Sequence, residues 1–369
     1  MVGVICFWDR YATPYLLKYE QMLQQSGISY EVVFWNRDVV QKKPVFRQEG
    51  CEVYLDFPCK TGRSKMLSFF RWARLVNHHI KKKKYSHLIL LSTVPAVLLF
   101  PIVVCRFSNR YIFDIRDYTL EKYLLFRKIV MRLVEHSCLT PISSKGFLKW
   151  LDVSSKIMPN HNITIEENLR FTAPDFSETR PIRFSFVGNV RLDSQTEAML
   201  KTLGHSNQIE QHYYGRILSG CNIKKIISDN HLTNVTLHGP FGIEEKESIY
   251  QNIDLINTVY ANAVKEEDIP LGDSTPLPNR LYDAIVFYRP LVTSKGTYLA
   301  ELSDEYHLGV NVNGFDKCIE EEIINYTKSY NKNEFMAGCD ALRKIVIEEE
   351  NAYRAKIKQI FKVWKEYGC

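Results

Sequence analysis

The sequence predicts an α/β protein made of two doubly wound domains that face a cleft. Short apolar strands alternate with helical stretches in both halves of the chain, which is typical of parallel sheets covered by helices on both faces. At 369 residues the chain is too long for one ordinary core. The strand–helix rhythm breaks once, in the Pro-, Ser- and charge-rich segment 171–181. We therefore expect an N-terminal domain over 1–176, a second domain over 181–333 and a helical tail over 334–369.

The expected strands are short runs rich in β-branched and aromatic residues, and the expected helices carry apolar residues at intervals of three and four. In the first half we expect strands at 2–8, 30–35, 52–57, 87–91 and 111–115, and helices at 15–25, 64–80 and 120–138. In the second half we expect strands at 182–187, 212–214, 235–237, 254–259, 291–293 and 309–312, and helices at 196–203, 223–230, 244–251, 279–287, 299–305 and 334–366.

An uncharged stretch of eighteen residues, 88–105, reaches the lower limit for a membrane-spanning helix. Pro95 and Pro101 interrupt it, and the sequence before Pro95 resembles a strand end followed by a helix start. We therefore expect a buried strand, a loop and an apolar helix here. No secretory leader is expected at the N-terminus, because its apolar run ends at Asp9-Arg10.

Charge and cysteine content narrow the class of protein. Residues 1–180 carry 27 Lys/Arg and 16 Asp/Glu, a balance of +11, whereas residues 181–369 carry 21 and 26, a balance of −5. No acidic residue lies between Asp56 and Asp114, which points to a localised anionic partner. The nine cysteines form no C-x-x-C motif and no Cys/His cluster, which argues against zinc and favours a reducing cytoplasm.

Two consecutive strands of the second half end in glycine followed by arginine. The first runs into Gly188 and Asn189 with Arg191 beyond, and the next runs into Gly215 and Arg216. Glycine lets backbone N–H groups approach a ligand closely, and arginine can bind phosphate with two N–H groups. A plain turn with an exposed arginine is the alternative for each motif taken alone.

The segment 276–296 combines a Pro-marked start, a short amphipathic helix, a turn and an apolar strand. A helix beginning near Asn279 would present free N–H groups and the positive end of its dipole, which favours a diphosphate. Arg280 would add a cation, Tyr282 lies in the same turn, and Asp283 suits ribose hydroxyls. The alternative is a solvated arginine with an aspartate that merely favours the helix start.

The order of these motifs resembles the C-terminal domain of GT-B glycosyltransferases, particularly the family 4-like enzymes of bacterial capsule and exopolysaccharide assembly. The resemblance covers residues 184–313 in the motifs FVGNVR, YYGRI, NVTLHGPF, DLINTVY, PNRLYDA, YRPLVTS and YHLGV. It implies two Rossmann-like domains and a nucleotide-sugar donor on the second. It places the donor diphosphate at Asn279 and Arg280 and the ribose at Asp283, with a basic residue after the first strand glycine meeting phosphate.

The chain departs from the family pattern at two places. Many members pair two glutamates eight positions apart, and here those positions hold Thr275 and Asp283. The arginine expected directly after the first strand glycine is displaced, since Asn189 follows Gly188 and arginine comes at 191. These departures bear on the donor sugar and on retention of configuration. The resemblance still implies nucleotide binding, with no cofactor and no required metal.

Acidic and basic residues end a strand of the first half, in the run Asp114-Ile-Arg116-Asp117. Strand ends of this kind face the ligand cleft, so Asp117 or Asp114 could accept the proton of an acceptor hydroxyl, with Arg116 between them. A structural ion pair across the loop is the alternative. Asn160, in a Pro-Asn turn, matches a turn that lies at the cleft in these enzymes, and a simple turn is again the alternative.

Basic residues surround the helix expected at 64–80, whose apolar residues share one broad face. Such a helix can lie on a lipid surface, with aromatics inserted and cations on anionic headgroups. We expect a peripheral contact with the cytoplasmic face of the plasma membrane, where a lipid-linked or oligosaccharide acceptor would be met. The residues expected at this contact are Lys65, Arg71, Trp72, Arg74, Lys81, Lys82, Lys83 and Lys84. The alternative is that this helix packs on the sheet and the lysines form a solvated corner.

Three other classes of protein are alternatives to a glycosyltransferase. A nucleotide-sugar epimerase of the same architecture would need acids and a histidine around the sugar. A nucleic-acid-binding protein would explain the basic stretch, but the second half is acidic and no reader motif is present, so no nucleic-acid partner is expected. A dinucleotide-dependent oxidoreductase would need G-x-G-x-x-G after the first strand, where Phe7-Trp-Asp-Arg10 stands.

Overall fold

A computed structural model describes residues 1–10, 13–40, 43–165, 171–176 and 180–366. The chain divides into two compact units, of which unit 1 holds Met1–Asn162 together with the chain from Glu349 onward, and unit 2 holds Ile163–Glu348. The break thus comes earlier than the expected boundary at 176–181, because Ile165, Phe171 and Ala173 pack into the core of unit 2. Residues 177–179 of the expected linker lie outside the described residues.

Unit 1 is a six-stranded sheet with helices between its strands. Its strands are β1 (Val2–Cys6), β2 (Tyr30–Asn36), β3 (Val45–Glu49), β4 (Glu52–Asp56), β5 (His87–Leu91), β6 (Tyr111–Asp114), and the separate pair β7 (Thr140–Ile142) and β8 (Ile157–Pro159). Its helices are α1 (Leu16–Gln25), α2 (Lys65–Lys83), α3 (Thr93–Leu98), α4 (Phe100–Phe107) and α5 (Leu124–His136). The sheet order is β3-β4-β2-β1-β5-β6, and only the β3–β4 pair is antiparallel.

Unit 2 is a six-stranded, fully parallel sheet. Its strands are β9 (Ile182–Val187), β10 (Ile209–Tyr214), β11 (Val235–Gly239), β12 (Leu255–Thr258), β13 (Leu291–Ser294) and β14 (Gly309–Val312). Its helices are α6 (Ser194–Leu203), α7 (Ile223–Asp229), α8 (Lys246–Gln251), α9 (Leu271–Ser274), α10 (Asn279–Phe287), α11 (Tyr298–Glu305), α12 (Ile319–Ser329) and the start of α13 (Lys332–Glu366). The strand order is β11-β10-β9-β12-β13-β14. From β9 the chain first adds strands on one side and then, from β12 onward, on the other side, which is the doubly wound topology expected from the sequence.

The apolar strands β1 and β5 are buried at every position, as parallel strands covered on both faces must be. The uncharged stretch 88–105 forms most of β5, then α3 and most of α4, which confirms the strand and apolar helix expected there. Over the ranges that the structure describes, no helix has the length and apolar character needed to cross a membrane.

The long C-terminal helix α13 contributes to the cores of both units. Its first half places Phe335, Cys339, Leu342 and Val346 in the core of unit 2. Its second half places Tyr353, Ile357, Phe361 and Trp364 in the core of unit 1, beside β1, β2, β5 and α1. The expected tail is therefore an integral part of the fold.

Candidate functional site

A pocket of about 470 Å³ opens in unit 2 where β9 ends and α10 begins. Its walls come from the end of β9, the loop after β11, the start of α8 and the first turns of α10. The lining residues are Phe186, Val187, Gly188, Asn189, Phe241, Gly242, Ile243, Lys246, Pro278, Asn279, Arg280 and Asp283. The structure thus brings together Gly188, Asn189, Asn279, Arg280 and Asp283, all of which the sequence predicted for one site.

The N-terminus of α10 faces this pocket without a side-chain cap. Pro278 occupies the cap position in extended conformation, and no side chain there accepts a hydrogen bond from the first turn. The helix begins at Asn279 and ends at Phe287, as the sequence predicted, and its C-cap residue Tyr288 has left-handed conformation. Uncapped N–H groups and the positive end of the helix dipole make the pocket suitable for an anion.

Arg280 places a cation in the wall of the pocket. Its guanidinium carbon lies 3.9 Å from the centroid of the Phe186 ring. Its Nη1 is buried and has no hydrogen-bond partner within the described part of the chain. Burial lowers the pKa of Arg280 to about 10, so the group remains a cation at neutral pH. Arg280 is half-buried, and leaving its buried Nη1 without a partner is costly unless an acceptor such as an anion meets it.

Asp283 lies one turn further along α10 and is held by two neighbours from α8. Lys246 Nζ donates to Oδ1 at 2.6 Å, and the Tyr250 hydroxyl donates to Oδ2 at 2.7 Å. Lys246 was not predicted from the sequence. Lys246 is the first residue of α8, where a cation opposes the helix dipole. This unfavourable position is the sequence feature that could have identified Lys246 as a site residue.

Gly188 lies in the wall of the pocket and makes close backbone contact with Gly215. Both have positive φ, at 139° and 135°, and a Cβ on Gly215 would overlap the Gly188 carbonyl oxygen. Gly215 and Arg216 are not among the described residues that line the pocket, and neither is Arg191. The Arg191 side chain is 64% exposed and its Nε lies 3.6 Å from Asp193 Oδ2.

Tyr282 requires a correction to its expected role. Its side chain is fully buried in the core of unit 2, so it packs α10 onto the sheet and does not line the pocket. Thr275, which stands at the earlier glutamate position of the family pattern, is also fully buried, and its hydroxyl donates to the Leu271 carbonyl.

In unit 1, Asp114, Arg116 and Asn160 form a buried network. Arg116 Nη2 donates to Asp114 Oδ2 at 2.7 Å, and Arg116 Nη1 donates to the Asn160 carbonyl at 2.9 Å. The Tyr19 hydroxyl donates to the same Asp114 oxygen at 2.6 Å. Asp114 is fully buried and Arg116 nearly so, which corrects the expectation that they act on a substrate. Asn160, expected in a turn at the cleft, is also fully buried. Asp114 and Arg116 form a structural ion pair, as in the alternative interpretation of this segment.

Asp117 differs from its neighbours because it is exposed. Desolvation of its carboxyl raises the pKa of Asp117 above its ordinary value; Arg116 opposes the shift and Asp114 adds to it. A carboxylate with a raised pKa is a better proton acceptor than an ordinary one. Of the three residues predicted at the end of β6, Asp117 alone has an exposed side chain.

The residues expected at a membrane divide into two groups along α2 and its C-cap residue Lys84. Trp72 is fully buried and Lys83 Nζ binds Glu31 Oε2 at 2.6 Å, so these two predictions are corrected: both residues serve packing within unit 1. The remaining predicted cations are exposed; they are Lys65, Arg71, Arg74, Lys81, Lys82 and Lys84. Beside them, Met66, Leu67 and Phe70 are 45%, 64% and 60% exposed, which leaves an apolar and cationic outer face on the first half of α2.

Within the described ranges, no group of three or more His, Cys, Asp and Glu side chains is arranged to hold a metal ion.

Comparison with solved structures identifies the fold as GT-B. Sucrose-phosphate synthase from Thermosynechococcus elongatus matches with a TM-score of 0.71 and 11% identity over 100% of this chain and 99% of that chain. HepE from Anabaena, in complex with UDP and glucose, matches with a TM-score of 0.60 and 12% identity over 97% and 100%. The lipopolysaccharide outer core galactosyltransferase WaaB matches with a TM-score of 0.61 and 11% identity over 97% and 99%. No family model and no curated protein matches the sequence.

Proposed function

We propose that this protein is a glycosyltransferase that moves a sugar from a nucleotide-sugar donor to a lipid-diphosphate-linked saccharide acceptor in cell-surface polysaccharide assembly. The observation that carries the proposal is the pocket at the N-terminus of α10, where Arg280 has an unused buried donor and Asp283 is held in position. The GT-B fold supports it, since HepE was solved with UDP and glucose and WaaB is a galactosyltransferase of lipopolysaccharide.

The pocket would bind the donor through charge and hydrogen bonds. The uncapped N–H groups at Asn279 and the guanidinium of Arg280 would hold the diphosphate. The Asp283 carboxylate would accept hydrogen bonds from the ribose hydroxyls, with Lys246 fixing its orientation. Donor binding of this kind requires no metal ion.

Catalysis would then be mainly electrostatic. Negative charge develops on the nucleoside diphosphate as the sugar–phosphate bond breaks. Arg280 and the helix N-terminus would interact more strongly with this charge in the transition state than with the bound donor in the ground state. Asp117, whose pKa is raised by desolvation, would accept the proton of the acceptor hydroxyl.

The acceptor part of the proposal is supported by the outer face of α2. Exposed Met66, Leu67 and Phe70 lie among exposed cations on this helix. Apolar side chains can insert at a lipid surface while each nearby Lys or Arg adds on the order of 1 kcal/mol with anionic headgroups. We propose peripheral binding to the cytoplasmic face of the plasma membrane, where a lipid-linked acceptor would be found.

The proposal is tested by following nucleotide release from a panel of UDP-, GDP- and other nucleotide sugars, with bacterial lipid extract as the acceptor. We expect one donor to be consumed by the wild type and Arg280→Met to lose most of that turnover, because methionine retains the contact with Phe186 but offers no donor to phosphate. Lys224→Met removes one exposed charge from α7 in the same unit and serves as the matched control. Undiminished turnover in Arg280→Met would rule out the phosphate assignment.

A further inference from the structure

Arg37 lies in unit 1, apart from the buried Asp114 network, and among the described residues no carboxylate is within ion-pair distance of it. The guanidinium carbon of Arg37 lies 3.7 Å from the ring centroid of Trp8, 4.3 Å from Phe7 and 4.4 Å from Trp35. Its Nη2 donates to the Phe7 carbonyl, while its Nε is buried without a hydrogen-bond partner among the described residues. The half-buried cation is therefore flanked by three aromatic rings and retains a buried N–H donor with no partner among the described residues.

Other arginines of the protein show how unusual this is. Arg10 binds Glu20 and Glu52, and Arg116 binds Asp114. Arg289 has no carboxylate partner in the described chain, but it donates to the carbonyls of Tyr250, Thr172, Phe287, Tyr288 and Gln251. Arg37 has one carbonyl partner and, over the described residues, no carboxylate within ion-pair distance.

The acids near Arg37 do not neutralise it. Burial lowers the pKa of Arg37 to about 10, so the guanidinium remains charged at neutral pH. The Cys59 thiol, Asp38 and Asp9 oppose that shift only by weaker, longer-range attraction. Asp56 accepts hydrogen bonds from Asn36 and Arg47 instead. The buried Nε is costly to leave without a partner, and a half-buried guanidinium with no bound carboxylate is suited to an anion from outside the protein.

The cluster lies at the edge of the sheet where ligands bind in doubly wound proteins. Phe7 and Trp8 follow β1, Arg37 follows β2, and Phe57 follows β4, and these strands are parallel neighbours in the sheet. Their carboxyl ends therefore meet at one edge. Two further cations reach the cluster from α2: Arg71 lies 5.6 Å from the Phe57 ring centroid and Lys65 Nζ lies 5.7 Å from that of Phe69.

We propose that Arg37 and Trp8 form a phosphate-binding site for the acceptor, distinct from the donor pocket of unit 2. A guanidinium can donate paired N–H groups to phosphate oxygens, and aromatic rings around it hold its plane and exclude competing water. Arg71 and Lys65 supply the additional positive charge that a diphosphate favours. Naming the acceptor as the source of this phosphate depends on the proposed function; the anion site itself does not.

Binding is measured without any transfer reaction, by calorimetry and by the fluorescence of Trp8, which is 44% exposed. Inorganic pyrophosphate and farnesyl diphosphate serve as probes, and all proteins carry Arg280→Met so that the unit 2 pocket contributes little to the signal. We expect both probes to bind and Arg37→Met to weaken both at least about tenfold. Tighter binding of farnesyl diphosphate supports a lipid-linked acceptor, whereas equal binding supports a soluble phosphate ester as the source.

Two variants keep the result interpretable. Arg132→Met removes an exposed charge from α5 and should bind both probes like its parent. Arg37→Met loses the hydrogen bond to the Phe7 carbonyl and the cation–π contacts, so its melting temperature is measured beside binding. A variant that still unfolds cooperatively above the assay temperature separates loss of binding from loss of fold. Equal affinity with and without Arg37, or no binding of either probe, would overturn the site. That outcome would leave the donor pocket untouched, because UDP binding to the otherwise unmodified protein is measured separately.

Discussion

Lys246 and Asp283, 37 residues apart in the sequence, form an ion pair with 2.6 Å between Nζ and Oδ1. The pair joins the first residue of α8 to the second turn of α10, and Tyr250 completes it by donating to the other carboxylate oxygen. The carboxylate therefore has a fixed position in the pocket wall before any ligand binds. Preorganisation of this kind reduces the cost of ordering a site when its ligand arrives.

We expect Asp283→Asn to weaken UDP binding about tenfold, since a carboxylate accepts ribose hydroxyls more strongly than an amide does. Isothermal calorimetry measures the loss, and circular dichroism checks that the fold is retained. Glu247→Gln, an exposed neighbour of Lys246 on α8, makes the same chemical change outside the pocket. Equal affinities for UDP in Asp283→Asn and Glu247→Gln would refute the ribose assignment.

Gly215→Ala should destabilise unit 2 by about 2 kcal/mol or more, because the new Cβ would overlap the Gly188 carbonyl oxygen and no side-chain rotation can relieve a backbone clash. The midpoint of urea unfolding reports the change. Gly220→Ala is the matched control, since Gly220 also has positive φ, at 86°, but a Cβ added there would have no neighbouring atom within 4 Å. If Gly215→Ala and Gly220→Ala lose the same stability, the loss comes from the positive φ that both positions share. The contact between Gly215 and the Gly188 carbonyl then contributes nothing.

The free energy of unfolding should decrease at acidic pH because Glu31, a buried residue of β2, becomes protonated. Burial alone would raise its pKa, but hydrogen bonds from His79, Lys83 and Tyr85 outweigh burial and lower the pKa of Glu31 to about 2. A carboxyl whose pKa is lower in the folded state stabilises the fold above its unfolded pKa and loses that contribution as pH falls toward the folded value. Unfolding free energies should therefore decline between about pH 4.5 and 2.

Glu31→Gln should have a shallower decline over the same interval, because glutamine does not titrate. Both proteins are unfolded with urea at pH steps of half a unit. The slope of the free energy of unfolding against pH is then compared between them, and not the absolute stability. Parallel slopes would show that Glu31 does not link protonation to folding.

Binding to lipid vesicles should depend on the exposed apolar residues of α2. The double variant Leu67→Ser/Phe70→Ser should reduce flotation with phosphatidylglycerol vesicles at least about tenfold, since each buried side chain of this size contributes roughly 1.5–3 kcal/mol. Ile243→Ser removes a side chain that is 88% exposed in unit 2 and should leave flotation unchanged. Flotation that is the same with neutral and anionic lipid would contradict the proposed role of the α2 cations.

Much of the fold follows from sequence periodicity because most strands are buried on both faces. The bounds of β9, α10 and β14 agree with those predicted from the sequence to the residue. In contrast, β3 was not predicted, since all five of its residues are exposed and it pairs only at the antiparallel edge. An edge strand of this kind has no apolar alternation to reveal it.

Part of the site could be predicted and part could not, for a physical reason. Asn279, Arg280 and Asp283 are adjacent on one helix, so a single local motif locates them. Lys246 reaches Asp283 only through packing of α8 against α10, which local sequence does not specify. Likewise, local sequence does not show whether Asp114 has a catalytic or a structural role. The residues that contact its carboxylate, Tyr19 and Asn160, are distant from it in the chain.

The helix α13 has a consequence for biosynthesis. Tyr353, Ile357, Phe361 and Trp364 complete the core of the unit that begins at Met1, yet they follow the whole of unit 2 in the chain and are translated after it. The first unit therefore cannot reach its native packing until unit 2, which ends at Glu348, has been synthesised. A premature stop codon soon after Glu348 would thus damage the half of the protein that was synthesised first.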